Sequence, residues 1–201
     1  MEKKDTYLTL SDNSEGLYKE KGSKFLSFAF PVSNEDEIKE KLDFLRKEYY
    51  DARHHCYAYI LGKDKVIFRA NDDGEPNHSA GDPILGQIRS NELTNVLIVV
   101  VRYFGGVKLG VGGLISAYKI AAAEAISNNN IVEAIVKKKV LLQFDYLSMN
   151  DIMKVIKDFD LEIISQHFDN NCKMSLLVRE GVLNEINSKF EIMEGVEMTI
   201  Y

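Results

Sequence analysis

Six consecutive apolar residues, Val96-Leu-Ile-Val-Val-Val101, stand between Asn95 and Arg102. A half-solvated strand alternates apolar with polar side chains, so an unbroken run this short and this rich in β-branched residues requires a strand covered on both faces. Asn95 to Phe104 is therefore the expected centre of a first sheet, and the rest of the chain has to supply its partners and its covering helices.

Those parts are readable on either side. Glu15 to Val32, with Tyr18, Phe25, Phe28 and Phe30 around Lys21-Gly22-Ser23-Lys24, reads as a strand pair. Ser33-Asn34 offers a helix N-cap with Glu37 as its capping-box partner. Ile38, Leu42, Leu45 and Tyr49 then recur at helical spacing. His55 to Leu61 and Lys65 to Arg69 read as a hairpin turning at Gly62-Lys63-Asp64. Pro83 to Ile88 begins a short helix. After the glycines at 105, 106, 110, 112 and 113, a further helix carries Leu114, Tyr118, Ala121, Ala122 and Ala125 on one face and ends at Asn128-Asn129-Asn130.

The pattern restarts near Ile131 to Val136. Val140, Leu142 and Phe144 alternate as a strand, and Ile152, Val155, Ile156 and Phe159 follow at helical spacing. Leu161 to Phe168 and Cys172 to Val178 flank an Asp169-Asn170-Asn171 turn, and Val182 to Phe190 and Val196 to Ile200 close a β-α-β-β-α-β order. That order is the ferredoxin-like split βαβ motif. The expected architecture is α+β in two domains, 1–135 and 136–201.

Composition excludes several classes. Apolar residues at 45% and charged residues at 28% fit a chain with a real core rather than a disordered one. No apolar run is long enough to cross a bilayer, and Met1-Glu-Lys-Lys-Asp leads into no apolar signal segment, so a cytoplasmic protein with no membrane partner is expected. Cys56 and Cys172 lack metal-ligand spacing and are expected as reduced core thiols. The net charge of −6 argues against a surface that clings everywhere to phosphate, so any nucleic-acid contact needs a local basic face.

Two constellations carry possible chemistry. Asp72, Asp73 and Glu75 lie in a loop pinned by Gly74, Pro76, Gly81 and Pro83. They suit a divalent cation or a basic partner, and equally they suit turn caps that accept backbone N–H groups. Arg102 to Tyr118 runs from strand to helix through Gly105, Gly106, Gly110, Gly112 and Gly113. Amides at such a helix start can bind an anion with Lys108 beside them, although no Walker lysine is present; tight turns and close packing are the other use of glycine. His54, Cys56 and His78 are better read as a core thiol near partly exposed histidines than as zinc ligands or a catalytic pair.

Four segments together resemble the signature of the YigZ/IMPACT family. They are His54-His-Cys-Tyr-Ala-Tyr59, Asp72-Asp-Gly-Glu-Pro76, Ala80-Gly-Asp-Pro-Ile-Leu85 and Arg102-Tyr-Phe-Gly-Gly-Val-Lys-Leu-Gly-Val-Gly-Gly-Leu114. One departure is His78-Ser79, where the family usually carries Gly-Thr. The resemblance implies a first domain with the left-handed βαβ fold of elongation factor G domain IV and a second similar to that factor's domain V. It implies a non-catalytic binding protein of the translation machinery whose partner is the ribosome, RNA or a translation-associated protein, with no cofactor and no metal. The candidate binding surface is Arg69, Asp72, Asp73, Glu75, His78, Ser79, Arg102, Gly105, Gly106, Lys108, Gly110, Gly112 and Gly113, with Arg69, Arg102 or Lys108 making any phosphate contact. A small-molecule enzyme for an anionic or phosphorylated substrate is the alternative, with Asp72 or Asp73 as base or metal ligand. If the strands ending at Arg69 and Phe104 run parallel, the two signature loops leave the sheet at one edge.

Overall fold

The structure, a computed structural model, describes residues 5–169 and 171–201. The first four residues of the charged start, and Asn170 of the expected turn, lie outside these. The chain forms two compact units: Tyr7–Ala134, and Ile135–Tyr201 joined by Asp5 and Thr6.

In the first unit a five-stranded antiparallel sheet has the order β2-β3-β6-β4-β5. Its strands are β2 (Ser14–Glu20), β3 (Ser23–Pro31), β4 (His54–Leu61), β5 (Ile67–Asn71) and β6 (Val96–Tyr103). The apolar run forms β6 at the centre. It is flanked on both sides by antiparallel strands, and both its faces are covered. Leu97, Val99 and Val101 pack with Ile38, Leu42 and Leu45 of α1 (Glu35–Glu48). Val96, Ile98 and Val100 pack with α2 (Gly81–Ser90) and with Leu114, Tyr118, Ala121, Ala122 and Ala125 of α3 (Gly110–Ser127).

Local chemistry sets the helix boundaries. The Asn34 side chain accepts the Glu37 amide at 2.9 Å while the Glu37 carboxylate accepts the Ser33 amide at 2.7 Å, the reciprocal cap expected of that sequence. The alanines of α3 allow it to approach β2 so closely that a Cβ on Gly16 would meet the Ala125 backbone nitrogen. α2 begins two residues before Pro83, because its start is organised by a side chain outside the helix, Asp72, described below.

Two strands had no signature in the sequence. β1 (Thr6–Leu10) pairs with β7 (Ile131–Ile135) as a separate ribbon, and Leu8 bridges to Leu93. β7 occupies the stretch where a linker between domains was expected.

The second unit has β8 (Lys137–Phe144), α4 (Met149–Asp158), β9 (Glu162–His167), β10 (Cys172–Arg179), α5 (Leu183–Glu191) and β11 (Val196–Ile200). Its antiparallel sheet has the order β11-β8-β10-β9, the ferredoxin-like arrangement. Val140, Leu142, Met174, Leu176 and Val178 form the core with Ile152, Ile156, Ile186 and Phe190 of the two helices. Asp5 joins this unit through Arg179, whose Nε and Nη2 donate to its carboxylate at 2.6 and 2.8 Å. That pairing holds the Asp5 carboxyl down at about 2. Among the described residues no helix is long and apolar enough to cross a membrane.

Candidate functional site

β5 and β6 are both antiparallel to β4, which lies between them, so they run in the same direction. The loops that follow them leave the sheet at the same end.

The first loop is organised by Asp72. Its carboxylate accepts the amides of His78 (2.8 Å), Ala80 (2.9 Å) and Gly81 (2.8 Å), which closes the loop and fixes the start of α2. Burial works against the charge, but the amides of Gly81, His78 and Ala80 outweigh it and hold the carboxyl below its usual range. Asp73 Oδ2 accepts the His55 amide at 2.6 Å, and the Asp73 carbonyl meets His54 Nδ1 at 2.8 Å. His78 keeps a left-handed backbone (φ +64) without being glycine, and its exposed ring reaches Asp82 at 2.7 Å. The buried Ser79 hydroxyl donates to the Pro76 carbonyl at 2.6 Å.

Glu75 turns inward. Its Oε1 accepts Arg102 Nη1 at 2.5 Å and the Tyr118 hydroxyl at 2.8 Å, with the side chains of Glu75 and Arg102 only 5% and 7% exposed. The Arg102 guanidinium also lies over the rings of Phe25 and Phe104. Beneath it the Cys56 thiol lies 3.0 Å from the Asp72 carbonyl and 3.3 Å from the Tyr118 hydroxyl. Burial pushes both the thiol and the phenol well above their ordinary values, so neither is a nucleophile at neutral pH. Burial likewise holds the His55 imidazole below its ordinary value, against the pull of Asp73. Among the described residues no group of three or more His, Cys, Asp or Glu is placed to hold a metal ion.

The glycine loop presents backbone and apolar side chains. Phe104, Val107, Lys108 and Val111 are exposed. A Cβ on Gly105 would run into the backbone of Gly22 and Ser23, and the Gly105 amide donates to Ser23 Oγ at 3.1 Å. The loop is thereby packed against the tip of the β2–β3 hairpin. The first turn of α3 has no side-chain cap and no acidic residue. Gly112 sits in open space with ordinary helical backbone, so the fold itself does not require glycine there.

The expected surface residues thus fall into two groups. Asp72, Glu75, Ser79 and Arg102 are committed to internal bonds. Arg69, His78, Gly106, Lys108, Gly110 and Gly112 are exposed, with Asp73, Gly105 and Gly113 between these limits. Sequence reading missed Lys19, Lys21, Lys24 and Phe104 at the same end of the sheet. Lys21 and Lys24 carried a signal only as part of a turn and Lys19 carried none, and the register that sets Lys19 against Lys24 and Lys24 against Tyr103 is tertiary. Tyr103 stands with them, its hydroxyl donating to Asp51 at 2.6 Å, a bond that pushes it up to about 12.

Comparison with known proteins follows the same ground. The Impact N-terminal domain family matches residues 21–126. The chain is 31% identical over 198 residues to the IMPACT family member YvyE of Bacillus subtilis, covering 94% of this chain and 91% of that one. It is 31% identical over 171 residues to the IMPACT family member YigZ of Escherichia coli, covering 84% of each. A crystal structure described as that of a hypothetical protein, 26% identical, covers 98% of this chain and 96% of its own, with a TM-score of 0.75.

Proposed function

The chain belongs to the IMPACT family, and from that premise we propose that it is a non-catalytic cytoplasmic binding protein of the translation machinery. It meets the ribosome through the end of the first sheet that carries the two signature loops. The observation that carries this reading is how the reactive groups are used. Every carboxylate of the acidic loop that an enzyme would need as base or metal ligand already accepts backbone amides, a guanidinium or a phenol. What the same end offers to solvent is backbone, apolar side chains and lysine, which suits recognition rather than proton transfer. The implied likeness to a pair of translation-factor domains supplies the translational context, and it is an analogy of fold. The enzyme alternative asks Asp72 or Asp73 to leave the bonds that shape their loop.

Co-sedimentation with Bacillus subtilis ribosomes over a salt series tests this. The protein pellets with ribosomes at low salt and is released progressively as salt rises. Retention in the supernatant at about 50 mM salt, well inside the range where phosphate contacts are strong, would sink the reading.

A further inference from the structure

At the end of the sheet where the signature loops emerge, the face that carries α1 is not fully covered. Strand register sets Lys19 directly opposite Lys24, and Lys24 opposite Tyr103. The next row is Leu17, Leu26 and Val101. These rows open into a groove of about 480 Å³ lined by Leu17, Lys19, Gly22, Lys24, Tyr103 and Phe104. Phe104 is 56% exposed and Leu17 50%. Lys21 is exposed at the hairpin tip next to Gly22, and Lys108 is exposed in the glycine loop before α3.

Three features of this corner oppose the stability of the free protein. Like charges directly opposite on neighbouring strands repel. None of the four lysines makes an ion pair among the described residues, and the nearby carboxylates Glu20 and Asp51 already accept bonds from the Tyr18 and Tyr103 hydroxyls. Lys21 also holds a left-handed backbone (φ +45) at the first position of a two-residue hairpin turn, where Asn, Asp or Gly is preferred. A chain of net charge −6 has set Lys19, Lys21 and Lys24 together beside exposed apolar and aromatic surface.

We propose that this groove binds single-stranded RNA, its phosphates on Lys19 and Lys24 and an unpaired base against Phe104. The proposal rests on the translational reading above and names the ligand of that same end. A cationic rim beside an aromatic face is the arrangement that holds unpaired strands, since every base has a face to stack while its backbone carries the charge. A duplex hides its base faces, and an acidic peptide has no face for Phe104 to meet. The locked backbones of Gly22 and Gly105 join the hairpin tip to the glycine loop, so the rim is set before the ligand arrives and less ordering is lost on binding.

The test is fluorescence anisotropy with a labelled 12-nucleotide single-stranded RNA, repeated with the same sequence as a duplex and with poly-glutamate. The single strand binds with strong salt dependence, and the other two probes bind at least roughly ten-fold more weakly, the order of one stacked base. Lys19→Gln/Lys24→Gln lowers the magnitude of the salt slope by about 1.4, at about 0.7 per phosphate contact on a single strand. Phe104→Ser weakens binding roughly ten-fold and leaves the slope in place. Thermal melting confirms that both variants are folded. An unchanged slope in the double-lysine variant, or equal binding of duplex or poly-glutamate, overturns the proposal. If the oligonucleotide binds as expected while the protein does not sediment with ribosomes, the translational reading falls and the RNA groove stands. If both variants bind the single strand as the parent does while the parent sediments with ribosomes, the groove falls and the translational reading stands.

Discussion

Arg102 and Lys24 stand on neighbouring strands at the same end of the first sheet, one position out of register, and point to opposite faces. Arg102 enters the face beneath α3, where it meets Glu75, Phe25 and Phe104 and almost no water. Lys24 faces solvent on the α1 side, with another lysine across from it and no ion pair among the described residues. Their backbones are about 6 Å apart by strand spacing and rise, yet only one of the two side chains has charge to offer a ligand. Burial and pairing, rather than residue type, decide which cation fastens the fold and which remains available.

The largest test of that contrast is Glu75→Ala. Removing one member of a buried ion pair leaves the other charged and unpaired, a loss of about 3–5 kcal/mol. The Tyr118 hydroxyl also loses its acceptor. Urea unfolding at neutral pH should show this loss, and Glu75→Gln combined with Arg102→Met should recover at least half of it. A loss below about 1 kcal/mol is the range of a surface pair, and it would mean that Arg102 is as accessible as Lys24.

A smaller effect separates the shaping carboxylate from the binding face. Asp72→Asn keeps the size of the side chain but weakens acceptance from three amides, at about 1–3 kcal/mol. The Asp72 carboxyl is held below its usual value in the folded protein. Its contribution is therefore complete above the unfolded value near 3.9 and is lost as pH falls through the lower folded value. Urea midpoints of parent and variant should differ clearly at pH 7 and converge towards pH 3. A gap that widens in acid would show that the loop is held by something other than this carboxylate.

How much of this was legible follows from where each signal resides. The capping pair Asn34 and Glu37, the alanine face of α3 and the alternation of Val140, Leu142 and Phe144 are all local patterns, and each marks its element. The α+β class and the βαββαβ order of the second unit were readable for that reason. β1 and β7 were not, because they pair across more than a hundred residues and β7 is largely exposed, so neither periodicity nor turn residues mark it. At the candidate site, glycines and carboxylates marked the end of the sheet from which the two loops emerge. That Asp72 spends its charge on amides, that Glu75 turns inward, and that Lys19 meets Lys24 all depend on register and on loop closure. No spacing along the chain encodes those.

The smallest predicted effect is the most discriminating, because it has the opposite sign from the largest. Lys24→Gln deletes one positive charge, as Arg102→Gln does, from the neighbouring strand at the same end of the sheet. At position 24 the deletion relieves repulsion from Lys19 across the strand pair, worth about 0.2–1 kcal/mol, and removes no partner. The variant should unfold at slightly higher urea than the parent. Repulsion between exposed charges is screened, since the Debye length contracts from about 10 Å at 0.1 M to about 3 Å at 1 M salt. The advantage of Lys24→Gln should therefore shrink as salt rises, whereas the penalty of Arg102→Gln, set in a buried pair, should persist. If Lys24→Gln destabilises at every salt concentration, Lys24 has a structural partner of its own, and the distinction between a fastening cation and an available one fails at this corner.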